Sequence, residues 1–270
     1  MANPDETMLQ VVQLMLAQHP HLARAVEELA LISQGRDQTS LQLQRHVQRE
    51  AQMFAGLDSK AIFTKIYIER LWGHPGDPEQ IFWSGPGSHA DPIVRPYLQS
   101  VRRFLESLQP RPDVVDLGCG DFAVGQQLRP FCGRYIACDI VDPLIHYNQR
   151  RFAALEVDFR VLDMARDPIP PGDVVFIRQV LQHLSNAEIE PVVRQIERGF
   201  KHLVLTEHVP LGTAFTPNLD KPTGRDVRIH RGSGIVLTAA PFHLQAKAEQ
   251  VLCEAPEAGG VNRTTLYTLA

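Results

Sequence analysis

The sequence predicts an α/β fold: a seven-stranded, mostly parallel sheet covered by helices, with its last strand antiparallel. Three observations predict it. From 113 to 209, short runs rich in Val, Ile and Leu alternate with helix-like stretches, the pattern of a parallel sheet buried on both faces. Two strand-like runs close the chain, 242–255 and 263–270, separated by the turn-forming PEAGGVN. The chain has 270 residues, 44% of them hydrophobic, which suffices for one well-buried core with an appendage.

The appendage is N-terminal. Over 5–57, apolar residues recur at mixed spacings of three and four, broken by HPH at 19–21 and SQGRDQTS at 33–40. Two or three short amphipathic helices are expected. The chain therefore divides into a helical extension, 1–58, and a sheet domain, 59–270. The extension is expected to mediate a homodimer contact or to cap the acceptor pocket. Residues 61–72, AIFTKIYIERLW, are apolar and aromatic. A long loop rich in Gly and Pro follows, with Phe82 and Trp83 as aromatic anchors, and leads into a helix over 93–108.

The elements then succeed one another. DVVDLGC, RYIACDIV, DFRVLDM, GDVVFIRQVL and HLVLTEHV read as strands. AVGQQLRPF reads as a short helix, and PLIHYNQRRFAAL as a helix with Pro143 in its first turn. NAEIEPVVRQIERGF reads as a helix with Asn186 as its N-cap and Gly199 near its end. Between 210 and 241 no helical period survives.

Composition excludes several function classes. The net charge of −4 gives no electrostatic basis for binding a polyanion, so no nucleic-acid partner is expected. Cys119, Cys132, Cys138 and Cys253 form no CxxC or CxxH pair, which argues against zinc and fits a reducing compartment. No carboxylate cluster with metal-binding spacing stands out at the strand ends, so no metal is expected. The start, MANPDETMLQ, is acidic where a signal peptide is basic, and no run approaches the ~20 apolar residues of a membrane span. A cytoplasmic protein with no membrane partner is expected.

Function concentrates in VVDLGCGDFAVG, 114–125. In an open α/β sheet, ligands sit beyond the carboxyl ends of the strands. Gly118 and Gly120 let backbone approach a ligand there. The turn lacks the G-x-G-x-x-G of a dinucleotide fold and the G-K-[ST] of a P-loop, and its two carboxylates, Asp116 and Asp121, would repel a phosphate. A cationic ligand group suits them. Asp139 ends the second strand, where a carboxylate accepts hydrogen bonds from a ribose diol. Asp163 ends the third, within reach of an adenine amino group. Ribose, adenine and a cation without phosphate describe S-adenosylmethionine.

VVDLGCGDF, YIACDI, RVLDM and DVVFIRQVLQHLS are similar to the ordered motifs of Rossmann-like, class I S-adenosylmethionine-dependent methyltransferases. The resemblance covers 113–209, and the terminal hairpin fits that family's last two strands. IYIERLWG and SGPGS, with GCGDF, RQVLQHLS and APF, look like one bacterial subgroup, a resemblance that names no acceptor. It implies that Asp116, Gly118 and Gly120 hold the methionine end, that Asp139 binds the ribose and that Asp163 and Met164 flank the adenine. Asp121 and Phe122 in the same turn, Ile140 beside Asp139, and Arg178 complete the expected cofactor-binding set. Phe122 departs from the wider family, where a third glycine is common.

Methyl transfer to a hydroxyl oxygen benefits from a base. His183, after the fourth strand, is the first candidate. His208, beside Glu207 at the end of the fifth, is the second. Arg178 and Gln179 could orient an acceptor, or Arg178 could pair with Asp173. Arg225, Arg228, His230 and Arg231 suggest a cationic lid over a sugar, a carboxylate or a phosphate-bearing metabolite. The expected function is methyl transfer from S-adenosylmethionine to a small-molecule or glycan acceptor. Two alternatives remain open: a catalytically degenerate binding protein, and a nucleic-acid or protein methyltransferase. The chain carries RQVL where a nucleic-acid enzyme would show a motif such as N-P-P-Y.

Overall fold

The computed structural model describes residues 45, 47–76, 80–212 and 214–269. The chain divides into two compact units, 1–52 and 53–270. In the first, residues 45 and 47–52 are helical, and the helices expected over 5–44 lie outside the described residues. Among the described residues, no helix is long and apolar enough to cross a membrane.

The second unit is built on a seven-stranded sheet of order β3-β2-β1-β4-β5-β7-β6. Its strands are β1 (Val114–Leu117), β2 (Tyr135–Asp139), β3 (Asp158–Val161), β4 (Val174–Arg178), β5 (His202–Pro210), β6 (Ala246–Glu257) and β7 (Gly260–Leu269). β1 to β5 are parallel, and β7 runs antiparallel to both neighbours. The expected sheet, including its terminal hairpin, is present. The strand order reverses between β1 and β4, so the switch point lies at the carboxyl ends of these two strands.

Helices α1 (Ser59–Ile68), α2 (Asp91–Ser107), α3 (Gly125–Leu128), α4 (Asp142–Arg151) and α5 (Asn186–Gly199) accompany the sheet. α2 buries Val94, Tyr97, Val101 and Leu105, spaced three and four apart along one face. The central strands alternate between two cores, as a period of two requires. Val115, Ile136 and Val175 join a core with Ile189, Val192 and Ile196 of α5. Val114, Tyr135, Ala137 and Val174 join the other, with Val101 and Leu105 of α2. β6 forms an edge and is largely exposed; its Lys247, Glu249 and Glu254 discourage pairing with another sheet.

Two local expectations are corrected. The N-cap of α5 is Ser185, whose N–H donates to the Glu188 carboxylate at 3.1 Å in a capping box. Asn186 instead donates its Nδ2 to the Asn218 carbonyl and accepts from Arg228. Phe122, expected at the cofactor, points into the second core. Its ring is fully buried against Tyr135, Phe152 and Phe159, with centroids 5.6, 5.3 and 4.9 Å away. It holds φ +62°, the left-handed conformation that favours glycine. Three burying aromatic contacts offset the strain.

Phe122→Ala is therefore expected to cost about 3–5 kcal/mol in urea denaturation, the range for emptying a core aromatic. Phe122→Gly loses the same ring but recovers about 1–2 kcal/mol of left-handed strain, so the glycine variant should be the more stable. A loss under about 1 kcal/mol in the alanine variant would contradict this packing.

Candidate active site

The glycine turn is fixed by the strand beside it. The N–H groups of Gly118 and Cys119 both donate to the Cys138 carbonyl, at 2.8 and 2.9 Å. Gly120 N–H donates to Asp139 Oδ2 at 3.1 Å, and Asn148 Nδ2 donates to the Gly120 carbonyl at 2.8 Å. Gly118 and Gly120 have φ of +75° and +56°. A Cβ on Gly120 would stand 2.4 Å from Ser84 Oγ, and one on Gly118 would stand 2.5 Å from a Val180 methyl. Both positions thus need glycine for conformation and for space.

Residues 80–89 strap this turn. Asp121 accepts hydrogen bonds from Ser84 N–H at 2.9 Å and from Gln80 Nε2 at 3.3 Å, and sits 2.7 Å from His89 Nε2. Asp121 N–H donates back to Ser84 Oγ, which also meets the Tyr67 hydroxyl. Trp83 stacks on His89 at 3.7 Å, and Phe82 is buried edge-on to Tyr67 and Tyr147. Both aromatics anchor the strap. Asp121 is its tether.

The predicted site residues separate into two places. Asp139, Ile140, Asp163 and Met164 line one cleft with about 570 Å³ of space, together with Leu162, Val180 and Leu184. Phe63, Tyr67 and Trp72 line it as well. Burial pushes the Asp139 carboxyl up to about 6, against hydrogen bonds from the Val141, Gly120 and Ile140 N–H groups. Burial also raises Asp163, held by the Ala165 N–H. Asp116, Asp121 and Arg178 line a separate, smaller cavity under the strap, with Tyr97 and Tyr135. Burial pushes Asp116 up to about 7, although the Tyr135 hydroxyl donates to it at 2.9 Å.

Arg178 does not pair with Asp173, which binds Lys201 at 2.8 Å. Its guanidinium lies 5.0 Å from the Tyr97 ring and donates to the Gly87 carbonyl and Ser88 Oγ, at 2.5 and 3.2 Å. It ties the strap to β4.

The turn after β4 is held from two directions. Glu207 on β5 accepts from the N–H groups of Val180, Leu181 and Gln182 at 3.3, 2.8 and 3.1 Å. Burial raises its carboxyl to about 7. Arg228 donates to the carbonyls of Leu181 and Leu184 at 2.9 and 2.8 Å, and Lys221 Nζ donates to that of His183 at 3.1 Å. This overturns the cationic lid as read from the sequence. Arg228 is fully buried, and His230 and Arg231 pair with Asp226. Of the four, Arg225 lines a further cleft and donates to the Leu71 carbonyl at 3.1 Å.

That cleft is a second one, with about 700 Å³ of space, bounded by Ser84–Ser88, Arg178, Gln182, Arg225 and Glu257. It shares Tyr67, Trp72, Gln179 and His183 with the first. His183 therefore stands in the common wall. Its ring packs 5.4 Å from Trp72 and 6.5 Å from Phe63. Burial, with the nearby Lys221 ammonium, lowers its pKa to about 3, so the imidazole is neutral. His208, the second base candidate, lines neither cleft; it is buried on β5 near Glu257 at 3.9 Å. Its partner Glu207 is committed to the backbone of the turn.

Sequence reasoning missed Tyr67, Trp72, Val180 and Gln182 as wall residues. The aromatic density of IYIERLW was the available signal for the first two.

The unfolded chain protonates His183 near pH 6.5, whereas the folded chain refuses the proton down to about pH 3. Its contribution to stability is full above pH 6.5 and falls as pH falls through that window. The buried carboxylates, with raised pKa values, work in the opposite direction. Comparison with His183→Gln isolates the histidine. Between pH 7.5 and 5 the wild type should lose about 2 kcal/mol more than the variant. Parallel stability curves would contradict a buried neutral His183.

Residues 114–202 match a protein family described as a methyltransferase domain. Among curated proteins, no sequence match is found. Among solved structures, the N-methyltransferase NodS from Bradyrhizobium japonicum WM9, in complex with S-adenosyl-L-homocysteine, is similar at 15% identity and a TM-score of 0.53. The match covers 75% of this chain and 96% of that one. Magnesium protoporphyrin IX methyltransferase (ChlM) from Synechocystis PCC 6803, with bound S-adenosylmethionine, is similar at 17% identity and a TM-score of 0.50, covering 80% and 99%. Likeness at these identities speaks to the fold. Residues 114–202 thus resemble a methyltransferase domain, and the sheet has the Rossmann-like fold of the class I S-adenosylmethionine-dependent methyltransferases.

Proposed function

We propose that this protein transfers a methyl group from S-adenosylmethionine to a hydroxyl oxygen of a small-molecule or glycan acceptor, with His183 as the base. The observation that carries the reading is the pair of clefts with a neutral, buried His183 in their shared wall.

The first cleft fits the methyl donor. It lies beyond β2 and β3, and the apolar side chains of Ile140, Leu162 and Met164 line it together with two carboxylates, Asp139 and Asp163. That donor set suits an adenosine, with Asp139 accepting from the ribose hydroxyls and Asp163 from the adenine amino group. Bound there, S-adenosylmethionine would supply a methyl group on a cationic sulfur. The chain's own residues position the partners, which provides much of the rate in a displacement of this type. His183, neutral and made a weak base by burial, would accept a hydrogen bond from the acceptor's hydroxyl and take its proton late, once the new bond to carbon has made that oxygen strongly acidic. Val180 and Leu184 add apolar surface to the first cleft beside His183.

The ChlM name describes transfer to a small molecule, magnesium protoporphyrin IX, which supports a small-molecule acceptor here. The retained Asp139 and Asp163 favour this reading over a degenerate binding protein.

Calorimetric titration with S-adenosylmethionine tests the proposal. Binding in about the micromolar range is expected, with a loss of at least tenfold in Asp139→Ala. Affinity should tighten from pH 5.5 to 8, because the ribose hydroxyls favour the ionised form of Asp139, which forms only as pH passes about 6. Equal affinity in a folded Asp139→Ala variant, or no binding by the wild type, would contradict the proposal.

A further inference from the structure

We propose that the strap couples the two clefts. A donor bound in the first orders residues 84–88, and the second cleft takes its final shape only then, so the donor binds before the acceptor. This rests on the methyl-transfer reading and adds the order of binding to it.

Ser84 is the junction. Its hydroxyl meets the Tyr67 hydroxyl at 2.9 Å and accepts from the Asp121 N–H at 2.9 Å. Tyr67 lines the first cleft. Asp121 follows Gly120, whose N–H is held by Asp139 of that same cleft. Two short routes thus run from the donor's surroundings to one strap serine. Gly120 leaves no slack between turn and strap, since a Cβ there would stand 2.4 Å from Ser84 Oγ. On its other side, Ser84 is the first of five successive residues, 84–88, that line the second cleft. Whatever fixes Ser84 therefore also fixes one side of the acceptor's space.

Little else holds this segment. Phe82 is buried ahead of it, and α2 begins after it at Asp91. Between these anchors, residues 84–88 carry no apolar side chain larger than proline, and Pro86 is exposed. The remaining attachments are polar: Ser84 N–H donates to Asp121, and Arg178 donates to the Gly87 carbonyl and to Ser88 Oγ. A segment with so little buried apolar surface opens at a low local free energy, and its order responds to what binds beside it. A donor seated on Asp139 and against Tyr67 immobilises both partners of the Ser84 hydroxyl and so favours the closed strap. By linkage, a closed strap favours the donor by the same factor.

Hydrogen exchange on the full chain, read by mass spectrometry with and without saturating S-adenosylhomocysteine, tests this. The ligand should slow exchange of the amides within 84–88 by about fivefold or more. Ser84→Ala removes the junction hydroxyl; it should still bind the ligand but keep less than about half of that protection. Tyr67→Phe keeps its ring in both clefts and removes only the bond to Ser84, and it should lower the protection in the same direction. Protection confined to the glycine turn, 118–121, with 84–88 unchanged, would overturn the coupling. Full strap protection in both variants would overturn the route through Ser84. If titration shows no binding of S-adenosylhomocysteine, the methyl-transfer reading fails and the coupling with it, a result distinct from binding that leaves the strap unprotected.

Discussion

Glu207 reaches from β5 into the turn after β4 and accepts three backbone N–H groups with one buried carboxylate. The carbonyls of the same turn are taken by Arg228 and Lys221, from a loop more than thirty residues away in sequence. Removing one member of such a buried set strands polar groups and costs about 3–5 kcal/mol. The clamp permits Gln179 to hold φ +55°, a conformation that a free chain rarely adopts. It sets His183 against Trp72, in surroundings dry enough to keep the imidazole neutral. Both clefts inherit their shared wall from this one arrangement.

The strap applies the same device to the other side of the switch point. A buried carboxylate, Asp121, gathers donors from a distant loop, and glycine at 120 lets Ser84 close directly onto the turn. The carboxylates of the site thus divide by task. Asp121 and Glu207 hold backbone in place and have little left for a ligand. Asp139 and Asp163 also accept backbone N–H groups, but both line the open cleft. Asp116, closed in with Arg178 and Tyr135, sits between these roles, and burial leaves it near its ionisation point at neutral pH.

The alternation of apolar runs with helical stretches was enough to predict the sheet and to locate Asp139 and Asp163 at strand ends, because burial on both faces leaves a signature in composition. Gly118 and Gly120 were legible for a similar reason, since left-handed backbone restricts residue choice. Phe122 misled because its neighbours set the expectation of a ligand contact, whereas its ring follows the packing of Tyr135, Phe152 and Phe159, which lie far away in sequence. The run of cations at 225–231 misled because a charged, aperiodic loop usually faces solvent. Here Arg228 turns inward to carbonyls that only the folded turn presents. The choice between His183 and His208 depended on which side of a strand faces a cleft, and periodicity alone does not fix that against a loop.

On the proposed function, the cleft at the ends of β2 and β3 holds an adenosine and opens through His183 onto a second cleft. A crystal structure of the complex with S-adenosylhomocysteine tests it most directly. The ribose hydroxyls are expected on Asp139, the adenine between Ile140 and Met164 with its amino group at Asp163, and the thioether sulfur facing the shared wall at His183. An adenosine bound elsewhere, or a sulfur directed away from the second cleft, would contradict it.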